Sequence, residues 1–150
     1  MFETHEYELL LELVASGVEF VVIGGAAVNV HEVARGRDDL DLLFEPSREN
    51  LSRLEGIRFG THTMKREEVD RFIREDGAIQ RIDFNGRFDL LKETLAVPMH
   101  EVFRNAIRIP VNDLIVHVIS KEHLIAEKEA SATTLDKEDV SKLREMGASN

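Results

Sequence analysis

Apolar and polar positions change rhythm several times along the chain, and each change marks an element. Tyr7, Leu10, Leu11 and Val14 recur at helical spacing among acids and predict an amphipathic helix over residues 4–16, stopped by Gly17. Glu19 to Ile23 is a short β-branched run and predicts a strand. Gly24-Gly25 then opens a second helix that runs to about Val33. Residues 39–44, Asp-Leu-Asp-Leu-Leu-Phe, alternate acid with apolar and predict a second strand. Pro46-Ser47 leads into a short helix from about Arg48 to Leu54, and Val69, Phe72 and Ile73 give the charged stretch 65–75 one apolar side.

The second half reads as a hairpin followed by helices and strands. Residues 78–84 and 87–91 flank Asn85-Gly86, a two-residue turn signal because a type I′ turn needs positive φ at both positions. Met99 to Ala106 is a helix after Pro98, and 107–109 and 114–119 are strands. Ser120 caps a helix that carries Glu122 and Glu127 early, and Asp136 caps a last helix to about Met146. No repeat, low-complexity segment or linker interrupts this order. The fold class expected is α+β (mixed α/β), a short mixed sheet flanked by helices in one domain over 1–150.

Composition narrows the setting. A chain of 150 residues, 43% of them hydrophobic, is long enough to bury a core. No apolar run is long enough to span a bilayer, and the acids among Met1 to Val14 do not read as a signal peptide, so no membrane partner is expected. The chain has no cysteine, hence no disulfide, thiolate ligand or cysteine nucleophile, which fits a cytoplasmic protein. A net charge of −10 argues against a broad basic face for duplex nucleic acid. It leaves room for one phosphate-bearing substrate held by a cation and a few arginines.

The chemistry is concentrated between residues 21 and 41. Side chains alternate along a strand, so Asp39 and Asp41 share a face while Leu40 and Leu42 take the other. Their Cα atoms then lie roughly 6.5–7 Å apart, and both carboxylates can converge on one ion or straddle two. Magnesium prefers oxygen ligands and completes its shell with substrate phosphates. An isolated Asp-x-Asp is most often the solvent face of an edge strand. Gly24-Gly25 adds weight, because two glycines at a strand-to-helix junction let backbone N–H groups approach a phosphate closely.

On these residues the chain resembles the nucleotidyltransferase superfamily of DNA polymerase beta, in the small bacterial branch with AbiEii-type toxins and minimal nucleotidyltransferases. Val-Ile-Gly-Gly-Ala-Ala-Val-Asn-Val-His and the later Ala-Arg-Gly-Arg-Asp-Asp-Leu-Asp-Leu-Leu are similar to that family's Gly-Gly helix and its Arg-x-Thr-x-Asp-x-Asp strand. His123-Leu124-Ile125-Ala126 with Lys128 resembles a Leu-Ile-x-x-Lys helix, and Asp136 and Asp139 match an Asp-x-x-Asp pair after it. The likeness spans about residues 18–143. It departs from the family at Arg37, where threonine is usual, and near Thr133, where an arginine often precedes the Asp pair.

The resemblance implies a nucleotidyltransferase fold and a third acid on a neighbouring strand. Asp83 and Asp89 compete for that place. A two-residue turn pairs Phe84 with Arg87, Asp83 with Phe88 and Ile82 with Asp89, which sends Asp83 and Asp89 to opposite faces. Phe-Asp-Leu-Leu at Asp89 repeats the pattern of Leu-Asp-Leu-Leu at Asp41, and this favours Asp89, with Asp83 as a surface partner of Arg81. The expected metal and catalytic set is Asp39, Asp41 and Asp89. The expected nucleotide-binding set is Gly24, Gly25, Arg35, Arg37 and Lys128, although either arginine could equally balance Asp38 and Glu32, and a helix lysine is more often solvated. Asn29 and His31 read as packing or hydrogen-bonding residues, and the other histidines have no metal-ligand spacing.

The implied reaction is Mg²⁺-dependent transfer of a nucleoside monophosphate from a nucleoside triphosphate such as ATP to an acceptor hydroxyl, with two ions when substrate is bound. The acceptor is RNA, a small molecule or a partner protein, the last in keeping with a toxin–antitoxin role. Many enzymes of this superfamily carry a second helical domain that grips the acceptor. With the sequence ending soon after the core, part of the acceptor site is expected from another subunit or partner, in a homodimer or heteromer. The alternative is a non-catalytic module that keeps the fold and binds a nucleotide or a partner.

Overall fold

The computed structural model describes residues 1–77, 79–83 and 86–148, of which 147 and 148 by backbone alone. The first helix, α1 (Thr4–Ala15), leads into β1 (Phe20–Ile23), α2 (Gly24–Val30) and β2 (Leu40–Phe44). Next come α3 (Arg48–Ser52), a small hairpin of β3 (Arg58–Phe59) and β4 (His62–Thr63), and α4 (Arg66–Arg74). A second hairpin, β5 (Gln80–Asp83) and β6 (Arg87–Leu91), precedes α5 (Met99–Asn105). The strands β7 (Ile107–Val111) and β8 (Leu114–Val118) and the helices α6 (Lys121–Ser131) and α7 (Thr134–Ala148) finish the chain. The result is a mixed α/β fold around a mixed six-stranded sheet of order β5-β6-β2-β1-β8-β7.

The two central strands decide what the sheet carries. β1 runs antiparallel to β2, with Ile23 opposite Asp41, and β6 runs parallel to β2, with Asp89 opposite Asp41. One face of β2 and β6 is therefore apolar, with Leu40, Leu42, Phe88 and Leu90 fully buried. The other face carries the acids. Hydrophobic burial on the first face holds the register, because a slip of one residue would drive Asp41 into the core.

Several local expectations are corrected. The buried face of α1 is Glu6, Leu9, Leu10 and Leu13, whereas Leu11 and Val14 are exposed. The helix is turned so that Glu6 can meet an inward arginine. The second helix ends at Val30, before Val33, because His31 caps it and Glu32 turns back with φ of 70°. Asn29 holds that return, its amide donating to the carbonyls of Val33 and Arg35. The last helix is capped by Thr133 and not by Asp136. The Thr133 hydroxyl accepts from the Asp136 amide and donates to the Asp136 carboxylate, a reciprocal box with Asp136 inside the first turn. The β3–β4 pair was invisible to alternation, which two-residue strands cannot display.

The β5–β6 register also differs from expectation. The expected Phe84–Arg87 pair and the Asn85 half of the turn lie outside the described residues. Beyond them, Asp83 is opposite Arg87, Ile82 opposite Phe88 and Arg81 opposite Asp89. The loop is thus one residue longer than the Asn-Gly signal implies, and Asp83 and Asp89 share a face.

Candidate metal centre

Asp39, Asp41 and Asp89 come together on the sheet. One carboxylate oxygen from each lies within 4.8 Å of the other two. Asp39 stands just before β2, Asp41 is its second residue, and Asp89 is the direct partner of Asp41 on β6. Pairing across parallel strands brings side chains of one face close, so Asp89 meets Asp41 as a lateral neighbour. Asp83 stays outside although it shares that face, because β5 is the edge strand and β6 separates it from β2. Asp83 is exposed.

The electrostatics are those of three like charges crowded together. Burial, then the charges of Asp39 and Asp89, push the Asp41 carboxyl up to about 7, with Lys128 opposing. Asp39 is also raised, first by burial and then by Asp89, against the pull of Arg87. Burial pushes Asp89 upward too, yet hydrogen bonds from Arg81 and Asp41 outweigh it and hold the group below its ordinary value. Asp41 Oδ1 is buried with no hydrogen-bond partner among the described residues. A buried acceptor left unpaired is costly unless something supplies positive charge there. Three oxygen donors with one unpaired atom form a cluster that can hold a metal ion.

Gly24 is shaped by this cluster. Its φ is +66°, and a Cβ on it would lie 2.0 Å from Asp41 Oδ2. Only glycine fits. Gly25 is the first buried residue of α2, and a Cβ there would meet Arg35 Nη1 at 2.7 Å and Arg37 Cβ at 3.3 Å. The glycine pair therefore lets β2 and the preceding loop press against the start of α2.

The cationic candidates separate into different roles. Arg37 is tied in a two-pronged pair to Glu6, with both N–O distances 2.6 Å, and also donates to the carbonyls of Asp39 and Met1. Arg35 donates to Asp139 at 3.0 Å and to the Gly36 carbonyl. Lys128 is buried between Asp136 and Asp139, at 3.2 and 3.0 Å. The Asp-x-x-Asp pair thus grips Lys128, and its second member grips Arg35. His31 contacts the Ile119 carbonyl at 2.8 Å, a structural hydrogen bond.

Two arginines of the β5–β6 hairpin were not expected at the site, and Arg81, expected as a surface partner of Asp83, pairs with Asp89. Arg81 Nε donates to Asp89 Oδ1 at 2.8 Å and its Nη2 to Oδ2 at 3.3 Å. Arg87 Nε lies 3.9 Å from Asp39 Oδ2. The available signal for Arg87 was its spacing of two from Asp89, which puts both on one face. Arg81 depends on the hairpin register, and a two-residue turn hides it.

A cavity of about 360 Å³ lies beside Gly24, the glycine that packs on Asp41, and is also lined by Ile23, Leu43, Leu91 and Lys128. Leu43 and Leu91 lie two residues beyond Asp41 and Asp89 on the same face. Glu127 of α6 braces its rim by accepting from the amides of Leu95, Ala96 and Val97 at 2.6, 2.6 and 2.8 Å. No helix among the described residues is long and apolar enough to cross a membrane.

No family model matches this chain, and no curated protein matches it significantly. Fold and geometry define it as a mixed α/β protein with a three-aspartate cluster at the adjacent strands β2 and β6.

Proposed function

We propose that the protein is a nucleotidyltransferase that moves a nucleoside monophosphate from a nucleoside triphosphate to an acceptor hydroxyl. The observation that carries this reading is the convergence of Asp39, Asp41 and Asp89 from adjacent strands beside a positive-φ glycine. The all-oxygen donor set suits a hard ion, and we assign it to Mg²⁺. When bound, Mg²⁺ neutralises phosphate charge and lowers the pKa of the acceptor hydroxyl.

The chain's own groups then divide the work. Asp39 and Asp41 would hold the ion, and Asp89 would help deprotonate the acceptor hydroxyl, by taking its proton or by aiming it. The acceptor oxygen forms its bond to the α-phosphorus as the bond to pyrophosphate breaks. Backbone N–H groups at Gly24 and Gly25 face the phosphates, and Lys128 adds positive charge at their edge. The apolar cavity has the size expected for part of a nucleoside, and its Leu43 and Leu91 lining excludes water beside the reacting groups.

The test is Asp41→Asn with labelled nucleoside triphosphates and a cell lysate as the source of acceptor. Transfer to a lysate component is expected from the unaltered protein and should fall by at least about a hundredfold in the variant. Undiminished transfer by Asp41→Asn would refute the assignment. Identifying the labelled component separates RNA, small-molecule and protein acceptors, the last of these bearing on a toxin–antitoxin role.

A second reading, a non-catalytic module that binds a nucleotide or a partner, is favoured by one observation. Arg37 is spent on Glu6 and two carbonyls, so it offers little to a substrate. Calorimetry with Mg²⁺ and each triphosphate decides: no nucleotide binding at millimolar ligand favours a partner-binding module.

A further inference from the structure

The arginines around the acid cluster differ in how they are held. Arg35 and Arg37 are committed to carboxylates and carbonyls of the protein interior, with side chains 14% and 10% exposed. Arg81 is 51% exposed, rises from the edge strand β5, and donates two hydrogen bonds to Asp89. Its Nε and Nη2 cover both oxygens of that carboxylate, which is itself only 11% exposed. A guanidinium fork and a cation use the same carboxylate lone pairs, so they compete. The arginine half of the pair stands in solvent, which weakens the pair, so a divalent ion can displace it. The stem of Arg81 keeps its freedom in solvent, and a guanidinium released beside the cluster lies within reach of a phosphate held there.

Resting on the nucleotidyltransferase reading, we propose that Arg81 competes with the divalent cation for Asp89 and, once displaced, grips a phosphate of the triphosphate. It would be a positioning residue that changes partner between the two charges. Arg87 is not equivalent: its Nε is buried without a hydrogen-bond partner among the described residues, and it stands at the Asp39 side, at ion-pair distance only.

The experiment uses the full chain and two probes, Mn²⁺ alone and tripolyphosphate in saturating Mn²⁺, by calorimetry, with Mn²⁺ binding checked by electron paramagnetic resonance. Relative to the unaltered protein, Arg81→Gln should bind Mn²⁺ about fivefold more tightly and tripolyphosphate at least about fivefold more weakly. Arg81→Lys, which keeps the charge without the fork, should fall between on both. Unchanged or weaker Mn²⁺ binding by Arg81→Gln overturns the proposal, as does unchanged tripolyphosphate binding. Asp41→Asn separates the two levels of argument. Mn²⁺ binding that needs Asp41 but ignores Arg81 sinks this proposal alone. No Mn²⁺ binding by either the unaltered protein or Arg81→Gln sinks the metal reading with it. Because Arg81 is half exposed on an edge strand, the variants should keep the fold, and a matched thermal melt verifies this.

Discussion

At the scale of single residues, Asp41 bears the largest cost of the site. Its carboxyl is buried, faces Asp39 and Asp89, and is pushed up to about 7 from an ordinary 3.8. The folded chain therefore holds a proton that the unfolded chain has released between about pH 4 and pH 7. Stability from this group is present at low pH and is lost as pH rises through about 7. A shift of this size corresponds to something on the order of 4 kcal/mol. Asp39 is raised too and slopes the same way, whereas the lowered Asp89 acts only at more acid pH. In EDTA the protein should unfold at lower urea as pH goes from 5 to 8, and Asp41→Asn should lose most of that slope while gaining stability at pH 8. An Asp41→Asn profile parallel to that of the unaltered protein would show that the carboxyl is not strained in this way.

At the scale of elements, the strand-to-helix junction at Gly24 decides whether the acids can stand where they do. A Cβ on Gly24 would fall inside bonding range of Asp41 Oδ2, and the +66° φ disfavours any other residue. Gly24→Ala should cost about 1–3 kcal/mol in urea denaturation and weaken Mn²⁺ binding by shifting Asp41. Gly25→Ala meets chiefly the end of the Arg35 side chain and should cost less. A Gly24→Ala protein with full stability and Mn²⁺ affinity would remove the glycine from the site. This junction was legible in the sequence because it is local: Gly-Gly after a β-branched run, and Asp-x-Asp with period two. The choice of Asp89 over Asp83 came from the repeated Phe-Asp-Leu-Leu pattern, while the hairpin register that set the two acids on opposite faces is shifted by one residue in the structure. What excludes Asp83 is the edge position of β5, a fact of strand order that alternation cannot supply. The pairing of Arg81 with Asp89 was hidden for the same reason. The inward turn of Glu6 and the grip of Glu127 on the amides of 95–97 depend on partners about 30 residues away, beyond any periodic pattern.

At the scale of the whole molecule, the cluster is braced from both ends of the chain. On one side, Glu6 of α1 holds Arg37, which holds the carbonyl of Asp39. On the other, Asp139 of α7 holds Arg35 and Lys128, and Lys128 acts on the charge of Asp41. The first brace is the more exposed to failure, since Arg37 and Glu6 are 10% and 5% accessible and each is the other's main counter-charge. Removing one partner of a buried pair strands the remaining charge. Glu6→Ala should therefore cost about 3–5 kcal/mol, well above the loss of an ordinary helix contact. Replacing both partners by apolar residues of similar volume removes the stranded charge, so Glu6→Leu/Arg37→Met should recover most of that stability. It should not recover the hydrogen bond to the Asp39 carbonyl, and Mn²⁺ affinity should stay below that of the unaltered protein. Urea denaturation of the single and double variants, read as a double-mutant cycle, measures the coupling. A near-zero coupling energy would mean that α1 and the acid strand are joined by apolar packing, with the ion pair incidental to it.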